Sequence, residues 1–137
     1  MLMKQLRMIS MSGWAVFFTF FIPVTTYAAQ QVYSNNVFLL NTCGVPLELS
    51  VVHDSNYDDK ARRLVLSPNQ RRTIANYRSF GEDVAGQISD LYSLSIKSPT
   101  ATKTIDAQTL QKAVASTERT EEKAVRSWVI TDGSFCP

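Results

Sequence analysis

The chain reads as mainly β: a small antiparallel sandwich or curled sheet of five to seven short strands, with one short helix near the C-terminal third. Three observations carry this. Apolar residues alternate with polar ones at Leu47, Leu49 and Val51, and again at Tyr92, Leu94 and Ile96, the period of strands with one buried face. The period becomes helical at one place, where Leu110, Ala113, Val114 and Thr117 fall at i, i+3, i+4 and i+7. The two cysteines, Cys43 and Cys136, lie near the two ends of the patterned part of the chain. The alternative is an α+β domain in which residues 107–123 form a longer helix packed on one sheet face.

Residues 1–28 read as a signal peptide. Lys4 and Arg7 make a positive start, residues 14–23 make an apolar run, and Thr26-Tyr27-Ala28 offers small residues for cleavage. The run is about half of the roughly 20 apolar residues a spanning helix requires, and Pro23 interrupts it, so cleavage near Ala28 is favoured over retention as an anchor. No cysteine follows closely, so a lipid anchor is not indicated. Residues 29–137 are then a single exported β-rich domain, periplasmic or extracellular, with no membrane association after cleavage. Exporting the chain makes Cys43 and Cys136 one disulfide. Closing a loop that long contributes about 4–5 kcal/mol in the chain-entropy model.

Removing the leader also removes Lys4 and Arg7, leaving twelve basic and twelve acidic side chains and no formal net charge. The basic residues are scattered, with adjacent pairs only at Arg62-Arg63 and Arg71-Arg72. Nucleic-acid binding requires a concentrated basic footprint, so that class of partner is not expected.

Within the domain, residues 30–36 are polar and read as a short arm, and residues 37–40 as a strand. Cys43-Gly44 reads as a bend before Pro46. From Val45 the alternation turns Val45, Leu47, Leu49 and Val51 inward and leaves Glu48 and Ser50 in water. Residues 54–60, DSNYDDK, form a turn by composition. Residues 63–67 and 72–77 read as a hairpin, joined at Ser67-Pro68-Asn69-Gln70 by a type I turn. Val84, Ile88 and Leu91 suggest one face of a short helical piece. Residues 91–97 form a strand, with residues 102–105 as its short partner. Asp106 is placed to cap a helix over residues 107–116. Residues 118–123, ERTEEK, either continue that helix or form a solvated tip. Residues 125–131 carry apolar side chains on both faces, Trp128 and Ile130 on one and Val125 and Val129 on the other, as a buried strand would. Asp132-Gly133 then turns the tail toward Cys136.

Catalytic constellations are sparse. His53 is the one histidine, so no His-based metal site can be assembled, and no Gly-x-Ser-x-Gly elbow supports its use as a base. A small hydrolase using His53 and Asp54 is the least favoured function. Asp54, Asn56 and Asp58 match the opening of a calcium loop, but Asp59 stands at its glycine position and Val65 at its closing glutamate. These four residues, Asp54, Asn56, Asp58 and Asp59, are weak metal candidates for a small-ligand or calcium-type carrier. No cofactor is implied. Exposed aromatics and arginine dominate interface energetics, which makes Tyr77, Arg78 and Phe80 the candidate partner-binding residues; the alternative is that Tyr77 and Phe80 cover the core's edge. The function these readings favour is a non-catalytic binding domain acting on another envelope or secreted protein, as an accessory, inhibitor or neutralising factor.

Overall fold

The computed structural model describes residues 30–81 and 84–137, so the leader read over residues 1–28 lies outside the described residues. Along them run β1 (Tyr33–Leu40), β2 (Leu47–Val52), β3 (Arg62–Leu66), β4 (Arg71–Ser79), β5 (Ser93–Lys97), β6 (Thr102–Asp106), α1 (Ala107–Ala115), β7 (Arg119–Glu122) and β8 (Val125–Ile130). The strands make two four-stranded sheets, ordered β4-β1-β8-β7 and β3-β2-β5-β6. All neighbours are antiparallel except β1 and β8, which run parallel. The mainly-β reading with one short helix holds, with eight strands among the described residues rather than five to seven.

The inner faces of both sheets share one core. The first contributes Val37, Leu39, Tyr77, Trp128 and Ile130, and the second Leu47, Leu49, Leu94, Ile96 and Ile105. Leu110, Ala113 and Val114 of α1 and Phe135 of the tail complete it. In β2 the alternation is as read: Leu47, Leu49 and Val51 are buried, and Glu48 and Ser50 are exposed. Val45 is not part of it. It precedes β2 and is 38% exposed, because Gly44, at φ 77°, reverses the backbone before the strand begins.

Other expectations change for identifiable reasons. The polar residues 30–36 are not wholly an arm, since β1 begins at Tyr33 and buries Asn35. Strands β3 and β4 are not a hairpin: β3 pairs with β2 and β4 with β1, so residues 67–70 carry the chain from one sheet to the other. Gln70 N–H donates to the Ser67 carbonyl at 3.0 Å, closing the turn. Asn69 has φ 62°, which a type I turn does not allow at that position and a type II turn requires. The buried Asn41 holds this corner. Its backbone exchanges hydrogen bonds with Asn69 and Gln70, and its side-chain nitrogen donates to the carbonyls of Leu66 and Val45.

Helix α1 ends at Ala115, which removes the longer helix of the α+β alternative. Its cap is as expected, with Thr109 N–H donating to Asp106 Oδ1 at 2.8 Å. Residues 118–123 turn out to contain β7, paired with β8 through a two-residue loop at Lys123-Ala124. Val84 and Ile88 flank a short 3-10 turn (Ala85–Gln87) and are buried, while Leu91 is 66% exposed. Strand β8 buries one face only: Arg126, Trp128 and Ile130 point inward, and Val125 is 44% exposed.

Candidate functional site

After β2 the chain reverses at His53, whose backbone is left-handed at φ 55°. It then lies along the free edge of β4, where Ser55 bridges to Asn76. A nine-residue edge strand presents unpaired backbone groups, and this loop satisfies several of them. The Asn76 amide donates to the Asp54 carbonyl at 2.7 Å. The Asn56 side chain acts as one more strand residue: its Oδ1 accepts from the Arg78 amide at 2.9 Å, and its Nδ2 donates to the Arg78 carbonyl at 2.7 Å. The Tyr57 hydroxyl donates to Asn76 Oδ1 at 2.6 Å. Asn76 Nδ2 in turn donates to Asn36 Oδ1 and, at 3.2 Å, to Ser34 Oγ. A polar strip thus crosses from β1 over β4 to the loop.

On this strip the Arg78 guanidinium carbon stands 4.2 Å above the Tyr57 ring. A cation–π contact at an exposed site contributes about 0.5–1 kcal/mol, enough to fix the arginine's direction. Tyr57 is 53% exposed, and Phe80, just past the end of β4, is 61% exposed. Arg78 is therefore held by its backbone and its side chain, beside two exposed aromatic residues.

Beneath the strip lies a polar seam. Asp54 is 4% exposed and accepts two hydrogen bonds on Oδ2 from Arg62, one from Nε at 2.7 Å and one from Nη2. Two tyrosine hydroxyls then cross to backbone carbonyls of the opposing layer. Tyr77 donates to His53 O and Tyr92 to Ile74 O, each at 3.1 Å. Burial, reinforced by the Asp54 carboxylate, pushes the Tyr77 hydroxyl up to about 12. Burial raises Tyr92 well above the ordinary tyrosine value too, with Tyr77 and Asp54 adding to it.

The residues singled out from the sequence separate accordingly. Arg78 and Phe80 are exposed. Tyr77 is a correction: it is fully buried, because its parity in β4 turns it onto the core, and it cannot meet a partner. The neighbouring aromatic at the surface is Tyr57, which the turn-like composition of DSNYDDK concealed. A lone tyrosine inside a polar loop was the available signal. The four metal candidates point to different tasks. Asp54 pairs with Arg62, Asn56 holds the Arg78 backbone, Asp58 Oδ1 accepts from the Lys60 amide at 3.2 Å, and Asp59 meets His53. Among the described residues no group of three or more His, Cys, Asp or Glu is placed to hold a metal ion. His53 Nδ1 lies 2.7 Å from Asp59 Oδ1, so the histidine has a carboxylate partner other than Asp54. Among the described residues no serine bonds to His53.

Cys43 and Cys136 form the disulfide, with Cα atoms 5.6 Å apart. That bond indicates an oxidising, exported compartment. No helix among the described residues is long and apolar enough to cross a membrane. No protein-family model, curated protein or solved structure matches the chain.

Proposed function

We propose that this chain is a small exported binding domain that acts, without chemistry of its own, on another envelope or secreted protein. The surface that carries the reading is Tyr57, Arg78 and Phe80. Its support is the preorganisation of Arg78, clamped by Asn56 at the backbone and stacked on Tyr57, with Phe80 beyond it. Arginine and aromatic side chains supply most of the energy of protein interfaces, and ordering them before contact lowers the entropy cost of association. The leader read over residues 1–28 and the disulfide support delivery to the periplasm or the exterior.

Affinity capture with the oxidised chain as bait, against envelope and secreted proteins of the producing organism, is expected to retain a stoichiometric partner at moderate salt. The double substitution Arg78→Ala, Phe80→Ser should reduce recovery at least about tenfold, as hot-spot truncations do, and leave the unfolding midpoint nearly unchanged. A partner retained equally well by the double variant, or an empty capture, rejects this surface.

A further inference from the structure

Where the β2–β3 loop meets β1 and β4 there is a notch of about 270 Å³ bounded mainly by Asn36, Asp54, Tyr57, Asp58, Arg62 and Thr73. We infer that it binds one neutral, multiply hydroxylated ring of the sugar type. The inference is independent of the protein partner proposed above, although Tyr57 borders both surfaces.

The chemistry of the lining selects the ligand class. Asn36, Asp54, Asp58 and Arg62 are each anchored while a further donor or acceptor is left over, and Thr73 adds a hydroxyl. Arg62 binds Asp54 Oδ2 through Nε and Nη2, which leaves Nη1 on the donor side and Asp54 Oδ1 on the acceptor side. Asp58 Oδ1 takes the Lys60 amide, leaving Oδ2. Asn36 Oδ1 takes the Asn76 amide group, leaving Nδ2. The Thr73 hydroxyl makes no hydrogen bond among the described residues. Anchored groups with spare donors and acceptors form a site that a ligand can complete without reordering it.

Three simpler ligand classes fit poorly. Two carboxylates against one guanidinium leave the notch with a formal charge of −1, so a phosphate or carboxylate is repelled. A divalent cation would meet the Arg62 guanidinium already bound to Asp54, and only two carboxylates. An ammonium group would use the acceptors but face the N–H groups of Asn36 and Arg62. A hydroxyl donates one hydrogen bond and accepts others, so neighbouring hydroxyls on a ring match the mixed set. The Tyr57 ring supplies apolar surface for the C–H face of such a ring. The volume lies just below the roughly 300–1,000 Å³ of drug-sized pockets, which limits the occupant to about one ring.

The test is a ¹H–¹⁵N titration of the oxidised full-length chain with free glucose, galactose, mannose and N-acetylglucosamine, alongside binding to immobilised glycans ending in the same sugars. At least one sugar should give saturable shifts in the side-chain amides of Asn36 and Asn76 and in the backbone of residues 54–58. Asn36→Ala with Thr73→Val should weaken that response about tenfold, the loss of two hydrogen bonds, whereas Gln108→Ala on the exposed face of α1 should preserve it. Thr73→Val alone, which keeps shape and removes one hydroxyl, carries the test if the double variant unfolds. A response to free sugars assigns a free ring; a response to immobilised glycans alone assigns the end of a polymer. No saturable response to any of them overturns the inference. So does a response that survives Asn36→Ala and Thr73→Val, or a stronger response of these resonances to inorganic phosphate or ammonium.

Discussion

Tyr77 and Tyr92 place their hydroxyls in the core, and both hold their protons more tightly there than in water. The unfolded chain releases those protons near the ordinary tyrosine value of about 10, before the folded chain does. Between that pH and the Tyr77 value of about 12 the unfolded state binds fewer protons, so stability falls as pH rises. Stability should be complete below pH about 10 and decline steeply above it, with the tyrosinate absorbance of Tyr77 and Tyr92 appearing together with unfolding. Tyr77→Phe should flatten that decline; an equally steep loss in the variant would exclude Tyr77 as its source. Arg126 is a charged side chain that the fold takes fully inside. It lies between Val125 and Trp128 and is 1% exposed. Its Nε donates to Glu121 at 2.8 Å and its Nη1 to the Gly81 carbonyl at 2.6 Å, and its guanidinium carbon stands 3.4 Å from the centre of the Tyr33 ring. A buried charge is sustained only when paired and hydrogen-bonded; Glu121 faces Arg126 across its own hairpin, and the other two partners come from distant segments. Asn35, opposite Arg126 in β1, is buried with its Nδ2 donating to the Tyr77 carbonyl and to Ser79 Oγ, while its Oδ1 has no hydrogen-bond partner among the described residues. No local pattern could have moved either residue inward.

At the scale of elements, periodicity places the buried face in some strands and not in others: β8 carries apolar side chains on both faces but buries one. β2, β5 and α1 have the faces their sequences imply. Leu110 is fully buried at the centre of the apolar stripe of α1, so Leu110→Ala should lower stability by about 2–5 kcal/mol in denaturant titration. Gln108→Ala on the exposed face should leave the midpoint nearly unchanged. Equal effects of the two would mean that α1 is not docked on the core. Elements defined by their pairing rather than by an apolar face leave no such periodic trace. ERTEEK carries no apolar face, and β7 exists because β8 supplies its ladder, with Lys123 turning at φ 56°. The turn at residues 67–70 is real, but a turn does not specify whether its two strands share a sheet. Asn41 decides that by gripping the corner from another part of the chain.

For the whole molecule, the parallel pairing of β1 and β8 explains why the two cysteines meet. Parallel strands leave a sheet at the same end, and Leu39 stands opposite Ile130. Cys43 and Cys136 follow shortly after, 93 residues apart in sequence. Cross-linking a loop of that length restricts the unfolded chain most strongly. Cys43→Ala with Cys136→Ala should therefore lower stability by about 2–5 kcal/mol, with a steeper denaturant dependence because the unfolded chain becomes more expanded. The oxidised wild type should weigh two hydrogens less than the reduced form. An oxidised mass with no loss of stability in the double variant would remove the disulfide from the account of this fold.

The fold class, the inward faces of β2, β5 and α1, the Asp106 cap and the pairing of the two cysteines follow from the order of the amino acids alone. These depend on spacing along the chain and on the count of cysteines, and both are local or countable. That β3 and β4 lie in different sheets, that Arg126 and Asn35 are buried, and that Tyr57 rather than Tyr77 faces outward beside Arg78 emerges only in the folded chain. Each of these depends on groups that meet across tens of residues, where the free energy of a polar contact has no periodic trace in the sequence.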